Sequence, residues 1–580
     1  MAVLIVALLP SWAASQGASD APPSQIVSMA LPDSAQATER KGNSANGVGK
    51  RVALGRPTDR PYQSARSEAV AMGLVYSANP ELRELVPGDV VSFEAPNGDT
   101  HEFQVTGARV TPFGNVEVTA GDGSASLFVM ISEKGGFFAD VKTGSETYRA
   151  FISDGQTVVF STDDPEIAKG TIANDTPFDD LDDLISQSAG TSFIAQPPTT
   201  RSGSTTVIAL GVLLDNYWWT AEDVLTMLDY YLAYLNYAYQ QAGALIRFEL
   251  SALGNYEPYQ DDFATSGSLS PTLNYITCGA TDCSPTDGVN TAVDSWRAAY
   301  NLDVVAQILR YPAVTTPDEQ GSYSVNWGIA QLPFSDVDLS NPSTLRQYTY
   351  SVNGIYNPYN GAIAGSYLLA HEVGHNFGLW HDRETLEMQL GATWAEIQPV
   401  LEPVMRYPYG IGYRFGASSG TTMSYADNNI SVLSTPYLAV EGMPIGVAID
   451  QPNPAYSALA VSNVMSYYKA VFDNTPSAPT ITKVEGYDGK IVVSFTPGAT
   501  GGLAVTGYTV TCTDGQNTFQ GTGTASPITV EGVANDVPYT CSVTATNPEG
   551  SSPSSGSSAP VILEELTGGL PIWLLYEATK

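Results

Sequence analysis

The sequence predicts a multidomain protein in which a β-rich segment precedes an α+β domain and a β-sandwich follows it. Three observations lead to this fold class. Short apolar runs separated by turn residues occupy residues 61–165, a strand–helix–strand pattern recurs from residue 206, and period-two alternation returns beyond residue 476. With 580 residues, the chain is long enough for about three to four domains.

The N-terminus has features of an export signal. Residues 2–9 form a short apolar run, and residues 11–15 offer the small side chains that signal peptidase requires. We therefore assign residues 1–15 to a signal peptide; its basic n-region is missing, which predicts a truncated start. Residues 16–60 are rich in Ala, Ser, Gly and Pro, which predicts a flexible leader. We expect a secreted, extracellular protein, with association at a cell surface left open.

Residues 61–202 are predicted to be a β-rich region followed by a linker. Asn97-Gly98-Asp99 is a hairpin signal between two of its strands. The linker is acidic and then rich in Pro and Ser up to Arg201, where we expect a maturation cut. The predicted strands are Val90–Phe93, His101–Val105, Leu127–Ile131 and Thr157–Phe160.

Residues 203–474 are predicted to form the α+β domain. A continuous apolar strand at 206–213 is followed by a helix that begins at Thr220 and ends at Gly243. Further strands at 244–250 and 303–309 predict a twisted mixed sheet with helices packed against it.

Three of the chain's four histidines lie in this domain, within one stretch of twelve residues. His371 and His375 are four apart, so one helical face presents both to a single ion. Gly378 can end the helix and turn the chain, which returns His381 as a third ligand. Three imidazoles leave the fourth position of a tetrahedral zinc ion open to water, and Glu372 is placed to accept a proton from that water. The alternative, a buried helix with incidental histidines, does not account for Gly378 and His381 at these offsets.

A methionine in a polar turn, Gly420-Thr421-Thr422-Met423-Ser424-Tyr425, follows about forty residues later. With this turn, the chain resembles the metzincin zinc metalloendopeptidases. The aspartate directly after the third histidine, Asp382, makes the motif most similar to that of the reprolysin (adamalysin) branch. Tyr425 departs from that branch. A tyrosine two residues past the methionine is typical of the astacin and serralysin branches, where it ligates zinc or contacts the transition state.

The resemblance implies a secreted endopeptidase that cleaves protein or peptide substrates with one zinc ion held by His371, His375 and His381. It implies that Glu372 is the catalytic base, with Tyr425 as a second catalytic candidate. Met423, Asp382 and Gly378 would support the site. The resemblance also implies that the β-rich region is a pro-region that assists folding and inhibits the zymogen, and that an edge strand binds substrate. The sequence neither identifies nor excludes a Ca²⁺ site.

Composition and cysteine spacing limit the partners and the compartment. The chain has 25 basic and 60 acidic residues, and the net charge of −35 argues against nucleic acid and anionic membranes as partners. No segment has transmembrane length. We expect disulfides Cys278–Cys283 and Cys512–Cys541, which suit an oxidising compartment. The spacing of the first pair also allows metal binding, but no further Cys or His lies nearby to complete a site.

Residues 475–562 are predicted to form the β-sandwich, and their last strand, with Pro548-Glu549-Gly550, resembles the end of a fibronectin type III module. Such a module either binds a surface, glycan or protein ligand or acts as a spacer. Residues 563–580 form a short apolar tail. The module also suggests an alternative function: a catalytically silent surface-binding protein that keeps the metzincin fold as a scaffold.

Overall fold

A computed structural model gives the fold of the chain. It describes residues 26–29, 38–41, 49–61, 73–121, 125–144, 146–153, 155–162, 170–172, 206–221, 223–257, 268–283, 288–300, 302–315, 322–337, 339, 342–356, 363–415, 419–425, 428–429, 432–440, 442–471, 475–476, 478–498, 505–547 and 550–563. The predicted signal peptide, the expected cut near Arg201 and the apolar tail beyond residue 563 lie outside the described residues.

The first part of the described chain is built almost entirely of strands. They are β1 (Val27–Met29), β2 (Thr38–Glu39), β3 (Arg51–Ala53), β4 (Pro57–Pro61), β5 (Leu74–Tyr76), β6 (Val90–Glu94), β7 (Thr100–Val110), β8 (Val116–Gly121), β9 (Ser126–Ile131), β10 (Phe137–Thr143), β11 (Glu146–Ser153), β12 (Gln156–Ser161) and β13 (Gly170–Ile172), with a 3-10 helix at Pro80–Glu84. Strands β2 to β12 form one sheet in the order β3-β6-β7-β8-β9-β10-β11-β12-β5-β4, with β2 paired to β7. The prediction of a large β-rich region is therefore confirmed.

A second sheet forms the centre of the α+β region. Its part of the chain contains β14 (Thr206–Leu214), β15 (Ile246–Asn255), β16 (Val304–Leu309), β17 (Ala313–Val314), β18 (Tyr323–Asn326), β19 (Gly328–Ala330) and β20 (Tyr350–Gly354). Six strands pair in the order β1-β15-β14-β16-β20-β19. The four inner strands are parallel, whereas β1 and β19 run antiparallel to their neighbours. This is the predicted mixed sheet.

Parts of the segment predicted as a flexible leader are folded. Strand β1 pairs with β15, with Val27 opposite Asn255. Strand β3 pairs in parallel with β6, with Arg51 opposite Val90. Each strand has only three residues, too few to produce a periodic signal, and the partner strand supplies the hydrogen bonds that hold it. The leader prediction is therefore wrong for these strands.

Six helices accompany the central sheet in the part of the chain that the structure describes. They are α1 (Asn216–Thr220), α2 (Val224–Gln241), α3 (Ser270–Cys278), α4 (Thr291–Tyr300), α5 (Pro342–Gln347) and α6 (Leu368–Asn376). The predicted start of α2 at Thr220 is wrong, because Asp215 caps the short helix α1 and Ala221 then adopts an extended conformation. Helix α6 begins at Leu368, three residues before the first histidine of the cluster. None of the described helices is both long and apolar enough to cross a membrane.

Helix α2 joins the β-rich region to the α+β region through a common core. Its tyrosines Tyr230, Tyr231 and Tyr234 are buried together with Phe138 and Phe151 of the β-rich sheet. The ring of Phe128 lies 4.3 Å from that of Tyr234, and Phe138 lies 5.6 Å from Tyr230, measured between centroids. The opposite side of α2 packs on β15 and on α6. Helix α2 is thus buried on two sides, between the β-rich sheet and the helix that carries the first two histidines.

The rest of the α+β region surrounds the turn that contains Met423. It comprises α7 (Arg383–Leu390), α8 (Trp394–Leu401), β21 (Arg414–Phe415), β22 (Ser419–Gly420), β23 (Asn428–Asn429), β24 (Thr435–Val440), β25 (Met443–Ile445) and α9 (Ser457–Val471). Helices α7 and α8 bury Leu386, Leu390, Ile397 and Leu401 in a small core of their own beside Trp380.

Two facing sheets follow at the C-terminal end. Their strands are β26 (Thr480–Tyr487), β27 (Lys490–Thr496), β28 (Gly507–Thr513), β29 (Thr518–Gly523), β30 (Ile528–Glu531), β31 (Pro538–Asn547), β32 (Gly550–Ser551) and β33 (Val561–Ile562). One sheet has the order β26-β27-β30, and the other contains β29-β28-β31-β32 with β33 paired to β31. Both predicted disulfides are present: Cys512 and Cys541 face each other across β28 and β31, and Cys278 is joined to Cys283 at the end of α3.

Candidate metal centre

Helix α6 and the turn after it bring three histidines together. His371 and His375 lie one helical turn apart on α6, and both are buried. The helix ends at Phe377, and Gly378 has φ +76°, a left-handed conformation that a side chain would strain. The chain therefore reverses at Gly378 and returns His381 to the same point, as the sequence predicts.

The histidine nitrogens converge on a volume that fits one ion. One nitrogen from each of His371, His375 and His381 lies within 4.8 Å of the other two. The Nε2 atoms of His371 and His381 are 3.1 Å apart. Two nitrogens bound at about 2.0 Å to one tetrahedral zinc ion would be separated by roughly 3.3 Å. Among the described residues, this is the group of His, Cys, Asp and Glu side chains that can hold a metal.

The other ring nitrogen of each histidine contacts a carbonyl or amide oxygen. His371 Nδ1 lies 2.7 Å from the Thr422 carbonyl oxygen, and His375 Nδ1 lies 2.8 Å from that of Leu379. His381 Nδ1 lies 2.8 Å from the Gln389 side-chain oxygen, Oε1. An oxygen of this kind only accepts, so each Nδ1 carries the proton and each Nε2 keeps a free lone pair. Three neutral imidazoles with inward lone pairs are the donor set that zinc prefers.

Glu372 is buried beside the cluster and packs against strand β19. A methyl group built on Gly328 would lie 2.3 Å from Glu372 Oε1, so any side chain at this position of the strand would displace the Glu372 carboxylate. The edge strand and the carboxylate are therefore in direct contact. Gly328 was not singled out by the sequence analysis, since a lone glycine in a strand carries no specific signal.

Met423 lies beneath the histidines and is fully buried. A methyl group on Gly374 would approach the Met423 sulfur to 2.5 Å, which shows how closely the methionine packs on α6 between the two helical histidines. The Asp382 backbone N–H donates to the Met423 carbonyl oxygen at 3.0 Å. The turn with Met423 is thereby tied to the residue that follows the third histidine.

Asp382 organises the segment after His381. Its carboxylate caps α7 by accepting from the Thr385 backbone N–H at 3.0 Å, and it accepts from Arg414 Nε at 2.9 Å. Burial alone would raise the pKa of Asp382, but hydrogen bonds from Thr385 and Ser424, together with the Arg414 charge, lower it below its usual value. The predicted supporting position of Asp382 agrees with these contacts. The helix cap was readable from the sequence, whereas Arg414, 32 residues away, was not.

Tyr425 lies at the histidine cluster. Its ring centroid is 4.7 Å from that of His381 and 5.8 Å from that of His371. The Tyr425 backbone N–H donates to Thr385 Oγ1 at 3.2 Å. The structure thus brings together His371, Glu372, His375, His381, Met423 and Tyr425, and it adds Gln389 and Gly328, which the sequence analysis missed.

Comparison with known families agrees with this geometry. A model described as Metallo-peptidase family M12B Reprolysin-like matches residues 227–382, a span that ends just after the third histidine. The match supports a reprolysin-like zinc metallopeptidase domain, and a family of this kind implies zinc and protein substrates. No curated protein matches the chain.

Solved structures match 15–16% of the chain. Domains from titin are 22% identical over 16% of this chain and 33% of their own, with a TM-score of 0.14. The FN1-FN3 domains of chicken CNTN1 are 18% identical over 15% of this chain and 33% of their own, with a TM-score of 0.15. A structure titled myokine is 21% identical over 16% of this chain and 100% of its own, with a TM-score of 0.14. The chain thus spans about a third of the titin and CNTN1 fragments, and at these scores the similarities carry no argument about function.

Proposed function

We propose that the protein is a secreted zinc endopeptidase that hydrolyses peptide bonds of extracellular proteins. The observation that carries the proposal is the convergence of three imidazoles with inward Nε2 atoms beside the buried carboxylate of Glu372. His371, His375 and His381 would hold the zinc ion. When bound, zinc supplies the Lewis acidity that activates a water molecule and polarises the scissile carbonyl group.

The side chains around the cluster supply the proton transfers. Glu372 would accept a proton from the attacking water and deliver it to the leaving amine. The Tyr425 hydroxyl would donate a hydrogen bond to the oxyanion that forms on the scissile carbonyl oxygen, since its ring packs on His371 and His381. Met423 and Asp382 would hold the ligands without touching substrate.

Strand β19 offers a place for extended substrate. It ends the central sheet among the described residues, and its Gly328 contacts Glu372. A peptide that paired with this edge through main-chain hydrogen bonds would pass beside the catalytic carboxylate whatever its side chains. This mode of binding suits an endopeptidase with substrates of varied sequence.

The β-rich region would act as a pro-region that assists folding and that stays packed on α2 after a maturation cut near Arg201. The support is the core that it shares with α2, which in turn packs on the histidine-bearing helix α6. Both disulfides agree with an oxidising, extracellular location. The C-terminal sandwich would serve as a fibronectin-like module that binds a surface, glycan or protein, or as a spacer.

Cleavage of denatured casein by the purified protein, sampled before and after the cut near Arg201, tests the proposal. Zinc content is measured on the wild type, on Glu372→Ala, and on Glu133→Ala, a control at an exposed turn. We expect the wild type and Glu133→Ala to cleave, and Glu372→Ala to keep about one zinc ion while losing activity. Zinc without activity in a wild-type sample already cut near Arg201 would contradict the proposal and favour the surface-binding alternative.

The role of Tyr425 has its own test. Tyr425→Phe removes the hydroxyl that would contact the oxyanion, so we expect kcat to fall about 10-fold or more with KM little changed. Tyr437→Phe, at an exposed tyrosine, is the matched control. An unchanged kcat in Tyr425→Phe would remove Tyr425 from the mechanism and leave Glu372 in place.

A further inference from the structure

The three histidines of the cluster are oriented by two different kinds of partner. His371 and His375 contact main-chain carbonyl oxygens, of Thr422 and Leu379. His381 instead contacts a side chain, through Gln389 Oε1 at 2.8 Å. A main-chain carbonyl can only accept, and no side-chain substitution removes it. The third histidine is thus oriented by a group that a substitution can replace.

A glutamine amide differs from a carbonyl because it both accepts and donates. With Oε1 toward His381, the ring is protonated on Nδ1 and Nε2 is free to bind a metal. With the amide reversed, the Gln389 N–H would require an unprotonated Nδ1, and the proton on Nε2 would block the metal position. The orientation of one amide therefore selects the tautomer of the third ligand.

Helix α7 holds Gln389 in this place. Asp382 caps the start of the helix, and Gly391, with φ +63°, ends it. Leu386 and Leu390 bury the inner face of α7 in the small core beneath it, whereas Met388 points outward and is 61% exposed. Gln389 follows Met388 on the half-buried flank of the helix. Its carbonyl oxygen is thus aimed at His381 by a capped and packed helix.

We propose that Gln389 is a positioning residue that holds His381 in its metal-binding tautomer and thereby sets the zinc affinity of the site. The inference rests on the proposed zinc site, but not on the identity of the substrate. Partners of metal-bound histidines typically contribute about 10- to 100-fold to metal affinity. A carboxylate at position 389 would only accept, so it would favour the same tautomer at least as strongly.

Zinc affinity of the metal-free full chain, measured by competition with a chromophoric chelator, tests this assignment. The variants are Gln389→Leu, which has similar volume but no acceptor, and Gln389→Glu, which keeps the acceptor. Gln398→Leu is the matched control, because Gln398 lies on α8 and its side-chain amide donates to Glu402 Oε1 at 2.8 Å. We expect Gln389→Leu to bind zinc about 10- to 100-fold more weakly than the wild type. Gln389→Glu should bind zinc at least as tightly as the wild type. The zinc affinity of Gln398→Leu should stay within about twofold of the wild-type value.

Two further readouts separate positioning from folding. The unfolding temperature of the metal-free protein should be similar in the wild type and Gln389→Leu, and the visible spectrum of the cobalt-substituted protein should change only in Gln389→Leu. Wild-type zinc affinity in Gln389→Leu would overturn the assignment, as would weak binding in Gln389→Glu equal to that in Gln389→Leu. If the wild type binds no zinc, or if His381→Ala binds zinc as tightly as the wild type, the proposed zinc site itself fails.

Discussion

The two β-rich parts of this molecule relate in different ways to the α+β region of residues 206–471, which contains the match to the metallopeptidase family and is named the metallopeptidase region after it. The N-terminal sheet contributes Phe138, Phe151 and Phe160 to the same buried core as the tyrosines of α2. Among the described residues, the core of the C-terminal sandwich is formed by side chains between positions 481 and 563. The N-terminal sheet therefore shares the hydrophobic core of the metallopeptidase region in addition to having a core of its own, whereas the sandwich has a separate core.

Polar contacts reinforce the first of these interfaces. Asp229 on α2 accepts hydrogen bonds from Thr111 and, at 2.7 Å, from Asn115 Nδ2. The Tyr230 hydroxyl donates to Asp140 Oδ2 at 2.9 Å. Buried polar groups that find partners only across an interface make separation costly, because each would be left unpaired.

Contacts from the N-terminal sheet also reach the segment that leads into α6. Arg149 pairs with Asp140 at 3.4 Å and donates to the Ile363 carbonyl oxygen at 3.2 Å. Tyr356, just before this segment, donates to the Ile152 carbonyl oxygen at 3.0 Å. The N-terminal sheet thus supports the start of the histidine-bearing helix from outside, whereas the sandwich makes no such contact among the described residues. The N-terminal sheet is therefore a structural component of the metallopeptidase region, and the sandwich is an attached unit.

The two chains that each lack one β-rich part should differ most in how the metallopeptidase region folds. A chain of residues 203–580 would expose the apolar tyrosines of α2, so we expect it to aggregate or to lack a cooperative unfolding transition. A chain of residues 1–474 should keep the unfolding transition of the metallopeptidase region. Calorimetry and near-UV circular dichroism on both chains provide the measurement. A soluble, cooperatively folded 203–580 chain would contradict the claim that the metallopeptidase region needs the N-terminal sheet to complete its core.

Truncation of one phenylalanine in each core is the next test. Phe138 and Phe495 are both almost fully buried, and a Phe→Ala change in a packed core costs about 3–5 kcal/mol. We expect Phe138→Ala to lower the unfolding transition of the metallopeptidase region and Phe495→Ala to lower only that of the sandwich. Calorimetry of each variant in the full chain resolves the two transitions. A shift of the same transition by both variants would contradict separate cores.

Removal of one hydroxyl at the shared interface should have a smaller effect. Tyr230→Phe deletes the hydrogen bond to the Asp140 carboxylate, and a hydrogen bond to a charged group contributes about 1.5–3 kcal/mol. Tyr237→Phe, at an exposed position of the same helix, is the control. Urea unfolding measures the free energy of both variants. An equal, near-zero change in both would show that the buried hydroxyl adds nothing to the interface.

The pH dependence of stability offers the finest test. Burial raises the pKa of Asp229 to about 7; hydrogen bonds from Thr111 and Asn115 and the Arg109 charge oppose this rise, and the Glu117 charge adds to it. The folded state therefore retains a proton that the unfolded chain releases at about pH 4, and stability falls as pH rises toward and through 7.

Asp229→Asn removes this titration and keeps an oxygen that can accept from Thr111 and Asn115. Between pH 6 and pH 8 we expect the wild type to lose about 1 kcal/mol more stability than the variant. Urea unfolding across this range gives the measurement. Parallel pH profiles for the two proteins would show that Asp229 does not titrate at the interface.

The sequence could predict the elements whose signal is local. The strand at Thr206–Leu214 is apolar throughout, and the hairpin at Asn97-Gly98 carries its turn residues. The position of the third histidine follows from Gly378, because a glycine at that offset permits the left-handed turn. In each case a few neighbouring residues determine the outcome.

The remaining features depend on partners that are distant in sequence. Strand β1 has three residues and is held by β15, more than 200 positions away. The tyrosines of α2 are consistent with a helix buried on one side, and only the N-terminal sheet shows that both sides are buried. Gln389 reaches His381 because α7 has a particular length and packing, and no motif in the sequence marks that contact.

The most direct test of the central claim is X-ray absorption at the zinc edge on the purified full chain, with His381→Ala beside it. We predict about one zinc ion per chain bound to three imidazole nitrogens and one oxygen at roughly 2.0–2.1 Å, with one imidazole lost in His381→Ala. A wild type without zinc, or an identical ligand set in the wild type and in His381→Ala, would contradict the claim that these three histidines form a catalytic zinc centre.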